Sequence, residues 1–270
     1  MKNLSAMSSD IINLSVIIPV LNNVKSIERT IKSVLAQDHN SIEIIIIDGG
    51  STDGTLKIIK KYNHQISFWS SEKDSGISDA FNKGIKKAKG DLIAILNSDD
   101  YWKKGTARVV NSIALKNPKN CIYYGSIEFI DISTMKKYKK NPNIKKMISR
   151  MSMFHPAIFV RKEVYKRVGM YSLKYNYAMD CEWLHRCMSN NVRFYKINKV
   201  LACMSLGGKS DEFFIRSLNE YKRSLIDNKV ASKLSSNYSF IKYAILKLFT
   251  SNRFIRKIKQ VILDNARRLN

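Results

Sequence analysis

The chain has 270 residues, 44% of them hydrophobic and 26% charged, which excludes wholesale disorder. With 11 glycines and 4 prolines it also excludes any collagen-like or low-complexity class. That length suits one large domain, or one domain with a small appendage. The net charge of +25 is unevenly placed: residues 1–100 carry 12 basic and 12 acidic side chains, residues 101–270 carry 35 and 10. A Lys-rich background would raise lysine everywhere and does not explain the asymmetry. The first half therefore holds carboxylates for a purpose other than solubility, and the second half suits a polyanionic partner.

In chain order, LSVIIPV (14–20) reads as a strand, and 24–37 places Val24, Ile27, Ile31, Val34 and Leu35 at helical spacing. The run IEIIII (42–47) is β-branched almost throughout, as in a strand buried on both faces of a parallel sheet. The turn GGSTDG and a helix over 55–62 follow, then a short strand at 66–69 and a helix over 77–89 with Gly90 as its stop. Residues 91–96 (DLIAIL) form the next strand, ending in NSDD. Strands alternating with helices predict right-handed βαβ units. Beyond Trp102 the pattern predicts a helix over 107–115, a strand over 121–130, and a basic loop or flap over 133–150. Further on it predicts a strand at 157–160, helices at 162–168 and 181–189, a strand at 192–197, and helix from 212 onward. Cys121, Cys181, Cys187 and Cys203 form no CxxC pair, which argues against zinc and for reduced thiols. The opening MKNLSAMSSDIINLSVIIPVLNN is a poor signal peptide, and no run of about 18 apolar residues predicts a membrane span.

In an open parallel sheet, ligands bind beyond the carboxyl ends of the strands. Three polar clusters fall there: Asn22 and Asn23, Asp48 with GGSTDGT, and Asn97-Ser98-Asp99-Asp100. No GxGxxG follows the first strand and no P-loop motif occurs. Asp48 is expected to accept hydrogen bonds from a base or ribose, whereas Asp53, beside Gly54, is expected to cap the next helix. Asp99 and Asp100 repel each other unless a cation lies nearby, and hard oxygen ligands select Mg²⁺ or Mn²⁺ shared with substrate phosphates. A plain turn before the following helix is the rival reading. SEKDSGISDAFNKGI holds Glu72, Asp74, Asp79, Asn82 and Lys83, with Asp79 and Lys83 on one helix face.

The succession SVIIPVLNN, IIIIDGGSTDGT, SEKDSGISDAFNKGI, GDLIAILNSDD resembles the family 2 glycosyltransferases with the GT-A fold, and FHPAIFVRKEVYKRVGMYS with YAMDCEWLHR continues it. The resemblance implies a Rossmann-like, mostly parallel α/β sheet flanked by helices. Pro19, Leu21 and Asp48 would hold the nucleotide, and Asp79 and Lys83 would lie near the donor sugar and diphosphate. Asn97-Ser98-Asp99 would be the DxD-type metal motif. Asn97 replaces the usual first Asp, leaving Asp99 as the main ligand and Asp100 as helper. Asp180 matches the general base of inverting members; its alternative is an N-cap, and Glu182 is the rival base. His155 reads as structural. Leu206 to Ser210 suits a lid with Lys209 on a phosphate, or a plain loop.

These readings predict a domain over 1–210, with a donor half at 14–105 and an acceptor half at 106–210, and a basic amphipathic helical tail over 211–270. Residues 221–270 carry 12 basic and 2 acidic side chains, which suits an anionic membrane surface. The expected activity is transfer from a nucleotide-diphosphate sugar, a UDP-sugar first, to a glycan or lipid-linked glycan precursor of cell-surface polysaccharide. It would use Mn²⁺ or Mg²⁺, at the cytoplasmic face of the membrane, and not bind nucleic acid. A non-enzymatic polyanion-binding module is the alternative, and the clustered carboxylates of the neutral first half count against it. A sugar nucleotidyltransferase would need a Gly-rich loop that PVLNNVKS lacks.

Overall fold

A computed structural model describes residues 11–119, 121–131, 136–205 and 213–251, with side chains given for all but 244 and 246–251. The first strands form as the sequence predicts: β1 (Leu14–Val20), β2 (Ile42–Asp48), β3 (Phe68–Ser71) and β4 (Leu92–Ile95), joined by helices α1 (Ile27–Leu35), α2 (Thr55–Lys61) and α3 (Ile77–Lys87). They lie side by side in the order β3-β2-β1-β4, all parallel. Alternate residues of each strand enter opposite faces. Val16, Ile18, Ile44 and Ile46 pack with Ile27, Ile31 and Ile59 of α1 and α2. Ile17, Ile45, Ile47 and Ile93 pack with Phe81 and Ile85 of α3. The chain thus steps outward from β1 to β3 along one face, then returns over the other through α3 to place β4 beside β1. The winding reverses between β1 and β4.

α3 approaches β1 closely. A Cβ at Gly84 would lie 2.3 Å from the Ile17 Cγ2, so only glycine fits. Gly90 is not the helix stop the sequence predicts. α3 ends at Lys87 with an extended cap at Ala88 (φ −60, ψ 128). Gly90 serves close approach instead: its N–H donates to Ser15 Oγ (2.8 Å) and Glu43 Oε1 (3.0 Å).

The second half adds β5 (Tyr101–Trp102), α4 (Thr106–Lys116), β6 (Cys121–Ile130), β7 (Lys137–Lys140), β8 (Ile158–Arg161), α5 (Lys162–Val168), α6 (Met179–Ser189) and β9 (Arg193–Ser205). The sheet continues from β4 through β8, β6 and β9 to β5, with β7 paired to β6. β8 is antiparallel to both neighbours, β6 and β9 are parallel, and β5 and β7 are antiparallel to their partners. β9 is about twice as long as predicted, and its register against β6 shifts after Gly125 and again after Ser126. Gly125 lies against Leu201, where a Cβ would come within 2.5 Å. These irregularities bend β9, and its far half reaches β5. The basic segment predicted as a loop forms β7 and a 3₁₀ turn at Ile144–Ile148.

Two helices close the described chain, α7 (Phe214–Asp227) and α8 (Lys233–Ser251). α7 is no detached tail. Tyr221 and Leu225 share a buried cluster with Ala178 and Cys181, Tyr175 donates to Asp227 (2.8 Å), and His185 meets Ser224 (2.7 Å). All four cysteines are free and buried. No helix among the described residues is long and apolar enough to cross a membrane.

Candidate active site

The crevice between β1 and β4 lies where open α/β sheets hold ligands. Pro19 helps to open it. Ile17 accepts a hydrogen bond from Leu96 beyond β4, and Val20 accepts one from Gly49 beyond β2, both at 2.9 Å. Odd-numbered residues of β1 therefore bond toward β4. That ladder ends at the Ile17–Ile95 pair, so Pro19, with no N–H, stands where no acceptor remains. Leu21 follows, 50% exposed.

The turn after β4 forms the opposite wall and is held by its backbone. The Thr30 hydroxyl lies 2.9 Å from the Ser98 carbonyl and 2.6 Å from the Asp100 carbonyl. Arg29 (2.7 Å) and the Ser205 hydroxyl (2.9 Å) both donate to the Asp99 carbonyl, and the Asn23 amide donates to Ser98 Oγ (2.8 Å). The Asp99 carboxylate is left without a hydrogen bond or ion pair among the described residues. Asp100 points the other way. It is 1% exposed, Oδ1 accepts the Ser205 N–H (3.1 Å), and Oδ2 has no partner. Burial, then the Asp99 charge, push its carboxyl well above the usual range. Asp100 is therefore a buried anchor of the turn, tied to the Ser205 N–H, and not the ligand-facing helper the sequence suggested. Asn97 Oδ1 is likewise buried and unpartnered. The Asp99 carboxylate and the Asn97 amide oxygen are hard donors within one turn, the chemistry that suits Mg²⁺ or Mn²⁺. Among the described residues no three His, Cys, Asp or Glu side chains could hold a metal unaided. A cation held there would have to complete its shell with oxygens from a bound phosphate or water.

Asp180 comes from the other half. Ala178 caps α6, so Asp180 sits inside the first turn, where the helix dipole favours negative charge. Its Oδ1 accepts the Cys181 N–H (2.8 Å). Its Oδ2 lies 3.9 Å from His155 Nδ1, too far for a hydrogen bond. Burial pushes His155 below its ordinary pKa, opposed by the charges of Asp180 and then Asp99. His155 lies within electrostatic reach of both carboxylates, and its Nε2 has no hydrogen-bond partner among the described residues. Beneath it, Trp183 stacks on Tyr165 (4.7 Å) and Tyr171 (5.5 Å), and Phe81 meets Tyr171 edge-on (5.0 Å). This aromatic layer fixes the floor under both groups. Glu182, the rival base, is 5% exposed and clamped by Arg186 through two bonds of 2.9 and 2.8 Å. Arg186 also ties off the carbonyls of Val168 and Met170.

Asp48 differs from the sequence expectation. Its carboxylate is 0% exposed and accepts the N–H groups of Gly50 (3.1 Å) and Ser51 (2.9 Å), with the hydroxyls of Ser51 (2.5 Å) and Ser71 (2.6 Å). It shapes the turn and does not point into the crevice. Asp53 fastens the start of α2 as expected, bonding the Thr55 N–H (3.0 Å) and hydroxyl (2.6 Å) and the Val24 N–H (3.0 Å). Asp79 accepts the Ser75 N–H (3.1 Å), which with Lys83 holds its pKa below the usual range. Lys83 bridges Glu72 (2.9 Å) and Asp79 (3.3 Å). Asn82 clamps the Tyr171 backbone through two bonds of 2.9 Å. Lys209 lies outside the described residues.

One positioning residue left no mark in the sequence. Glu220 of α7 accepts the N–H groups of Asn176 (3.0 Å), Tyr177 (2.8 Å) and Ala178 (2.9 Å), fixing the chain that leads into Asp180. It stands 42 residues from Ala178, beyond any local pattern.

Residues 15–173 match the sequence profile described as Glycosyl transferase family 2. A PGL/p-HBAD biosynthesis glycosyltransferase of Mycobacterium bovis is 30% identical over 65% of this chain and 70% of its own length. An uncharacterized glycosyltransferase of Rickettsia typhi is 31% identical over 62% of this chain and 56% of its own. Among solved structures, S. aureus TarS 1–349 in complex with UDP-GlcNAc superposes with a TM-score of 0.63 at 17% identity, covering 86% of this chain and 71% of that one. The chain spans 43% of the longer TarS structure. A Pyrobaculum calidifontis mannosyltransferase in complex with GDP-Man and Mn²⁺ superposes with a TM-score of 0.65 at 15% identity, over 96% and 81%. The fold is GT-A, and the chain belongs to the family 2 glycosyltransferases.

Proposed function

We propose that the protein transfers a sugar with inversion from a nucleotide-diphosphate donor, a UDP-sugar first, to a hydroxyl of a glycan or lipid-linked glycan precursor of cell-surface polysaccharide. The observation that carries this reading is the placement of Asp99 and Asp180. Both come from loops or helix starts at the crevice, Asp99's carboxylate is unpartnered among the described residues, and both lie within electrostatic reach of His155. In a single displacement the acceptor oxygen bonds to C1 as the bond from C1 to the diphosphate oxygen breaks. The acceptor proton passes to an Asp180 oxygen. Asp180 is oriented by the Cys181 N–H and the α6 dipole. Asp99, with Asn97 beside it, would hold a divalent cation, whose chemistry is to neutralise charge developing on the leaving diphosphate. Pro19 and Leu21 line the nucleotide side, where Asp48 acts through the turn it holds. Lys83, linked to Asp79, lies toward the diphosphate. A lipid-linked acceptor is met at an anionic membrane surface, which suits the basic second half and a peripheral place on the inner face of the cell membrane.

The test is calorimetry of UDP with and without Mn²⁺, on the native protein and Asp99→Ala, followed by turnover of UDP-sugars with Asp180→Asn. Metal-dependent UDP binding lost in Asp99→Ala is the expected result. Asp180→Asn should keep that binding and lose about 10²- to 10⁴-fold in kcat. An Asp180→Asn enzyme that turns over normally would remove the base from this scheme, and a protein that binds none of UDP, GDP or dTDP would remove the donor.

A further inference from the structure

The last described helix turns a stripe of large apolar side chains to solvent. Leu234, Tyr238, Ile241 and Ile245 of α8 are 84%, 68%, 56% and 47% exposed. At 100° per residue these four positions fall within an arc of about 60°. The side turned to α7 includes two buried serines and Phe240. Ser236 and Ser239 are 1% and 9% exposed, and Phe240 lies beneath the Lys222 ammonium of α7 (4.6 Å). Ser232 starts the helix, accepting the Ser235 N–H (3.2 Å). A helix that packs on its own protein normally does the reverse, with serines outward and large apolar side chains inward.

The charges decide what this stripe faces. Lys233 and Lys242 flank it on either side by helical position, and Leu234 to Ile245 contains no acidic residue. No acidic side chain occurs between Asp227 and Asp264, a stretch that holds eight Lys and Arg. A second copy of this chain, itself +25, would bring like charge against like across the same face. An anionic lipid surface supplies what both features need: acyl chains for the stripe and headgroup phosphates for the lysines.

We propose that α8 is an interfacial anchor that lies flat on an anionic bilayer, inserting Leu234, Tyr238, Ile241 and Ile245 between headgroups while Lys233 and Lys242 reach the phosphates. The anchor is distinct from the glycosyl-transfer site and does not rest on it.

The test uses the full chain and vesicles of phosphatidylcholine with and without 30% phosphatidylglycerol (about one anionic lipid in three, enough to set up the surface potential). Co-sedimentation is measured for the native protein and for the triple variant Leu234→Ser, Tyr238→Ser, Ile241→Ser. These side chains are exposed, so the variant should keep the native melting temperature and UDP binding, which separates failure of the anchor from failure of the transferase reading. Native protein should bind anionic vesicles, less so in high salt, and the triple variant should bind at least about tenfold more weakly. Tyr238→Trp should show a blue-shifted emission on binding. Equal binding by the triple variant would overturn the proposal by reducing the contact to charge alone. Absence of binding would overturn it too, whether the stripe then proves covered by residues 252–270 or by a second copy seen in sedimentation.

Discussion

Four acceptor contacts on one buried carboxylate make Asp48 the residue whose role changes most between sequence and structure. Its place at the end of an all-Ile strand was legible, but its direction was not. Two of its four donors are backbone N–H groups of a turn, and a third comes from Ser71 on a strand 23 residues away. Asp48→Asn keeps the size and replaces one accepting oxygen by a donor facing donors. It should lower stability by about 2 to 4 kcal/mol in chemical denaturation. A residue that only touched ligand would leave the denaturation midpoint unmoved. Asp99 was legible for the opposite reason. The role proposed for it needs only a carboxylate beyond a strand end, and a turn of Asn, Ser and Asp after LIAIL announces one. The division of labour within the pair was hidden, because it depends on Ser205, 105 residues beyond Asp100, drawing Asp100 inward.

Elements were readable where one period ran long enough to count. The strands and helices up to β4 follow their apolar spacing, and α5 falls on its predicted residues. β5 is two residues long, too short for any period, and β9 was cut short because its bulges interrupt the alternation. α3 carries an informative exception. Gly84 in a helix interior ordinarily weakens it by about 1 kcal/mol relative to Ala. Here the Ile17 side chain occupies the space of a Cβ. Gly84→Ala should therefore destabilise by about 1 to 3 kcal/mol, opposite in sign to helix propensity. A melting temperature raised by this substitution would show that α3 can lift off β1 without loss.

At the scale of the whole molecule, what could not be read was the place of α7, since no pattern connects Glu220 to the start of α6. The seam between α6 and α7 also carries a pH dependence. His185 is 0% exposed, with Nδ1 beside Ser224 (2.7 Å) and Nε2 beside the Met147 carbonyl (3.0 Å). Burial holds it down at about 4, from an ordinary value of 6.5. Between these values the unfolded chain takes up a proton that the folded chain refuses, so stability is complete above about 6.5 and declines as pH falls toward 4. The decline attributable to this group is at most about 3 kcal/mol. Urea midpoints measured from pH 7.5 to 4.5 should fall in the native protein and fall less steeply in His185→Gln; parallel curves would assign the loss elsewhere. The bend in β9 has a further consequence, for the order in which the protein is made. The strands flanking the β1–β4 crevice are complete once β4 has left the ribosome, yet Ser205 must emerge before the Asp99 turn is tied. Glu220 must emerge before the approach to Asp180 is fixed. A nascent chain released at residue 173, where the family profile stops, would hold the motifs up to GMYS and lack Asp180 itself together with both fastenings. Both segments are therefore fastened late in synthesis, by residues outside the segment through which the family is recognised.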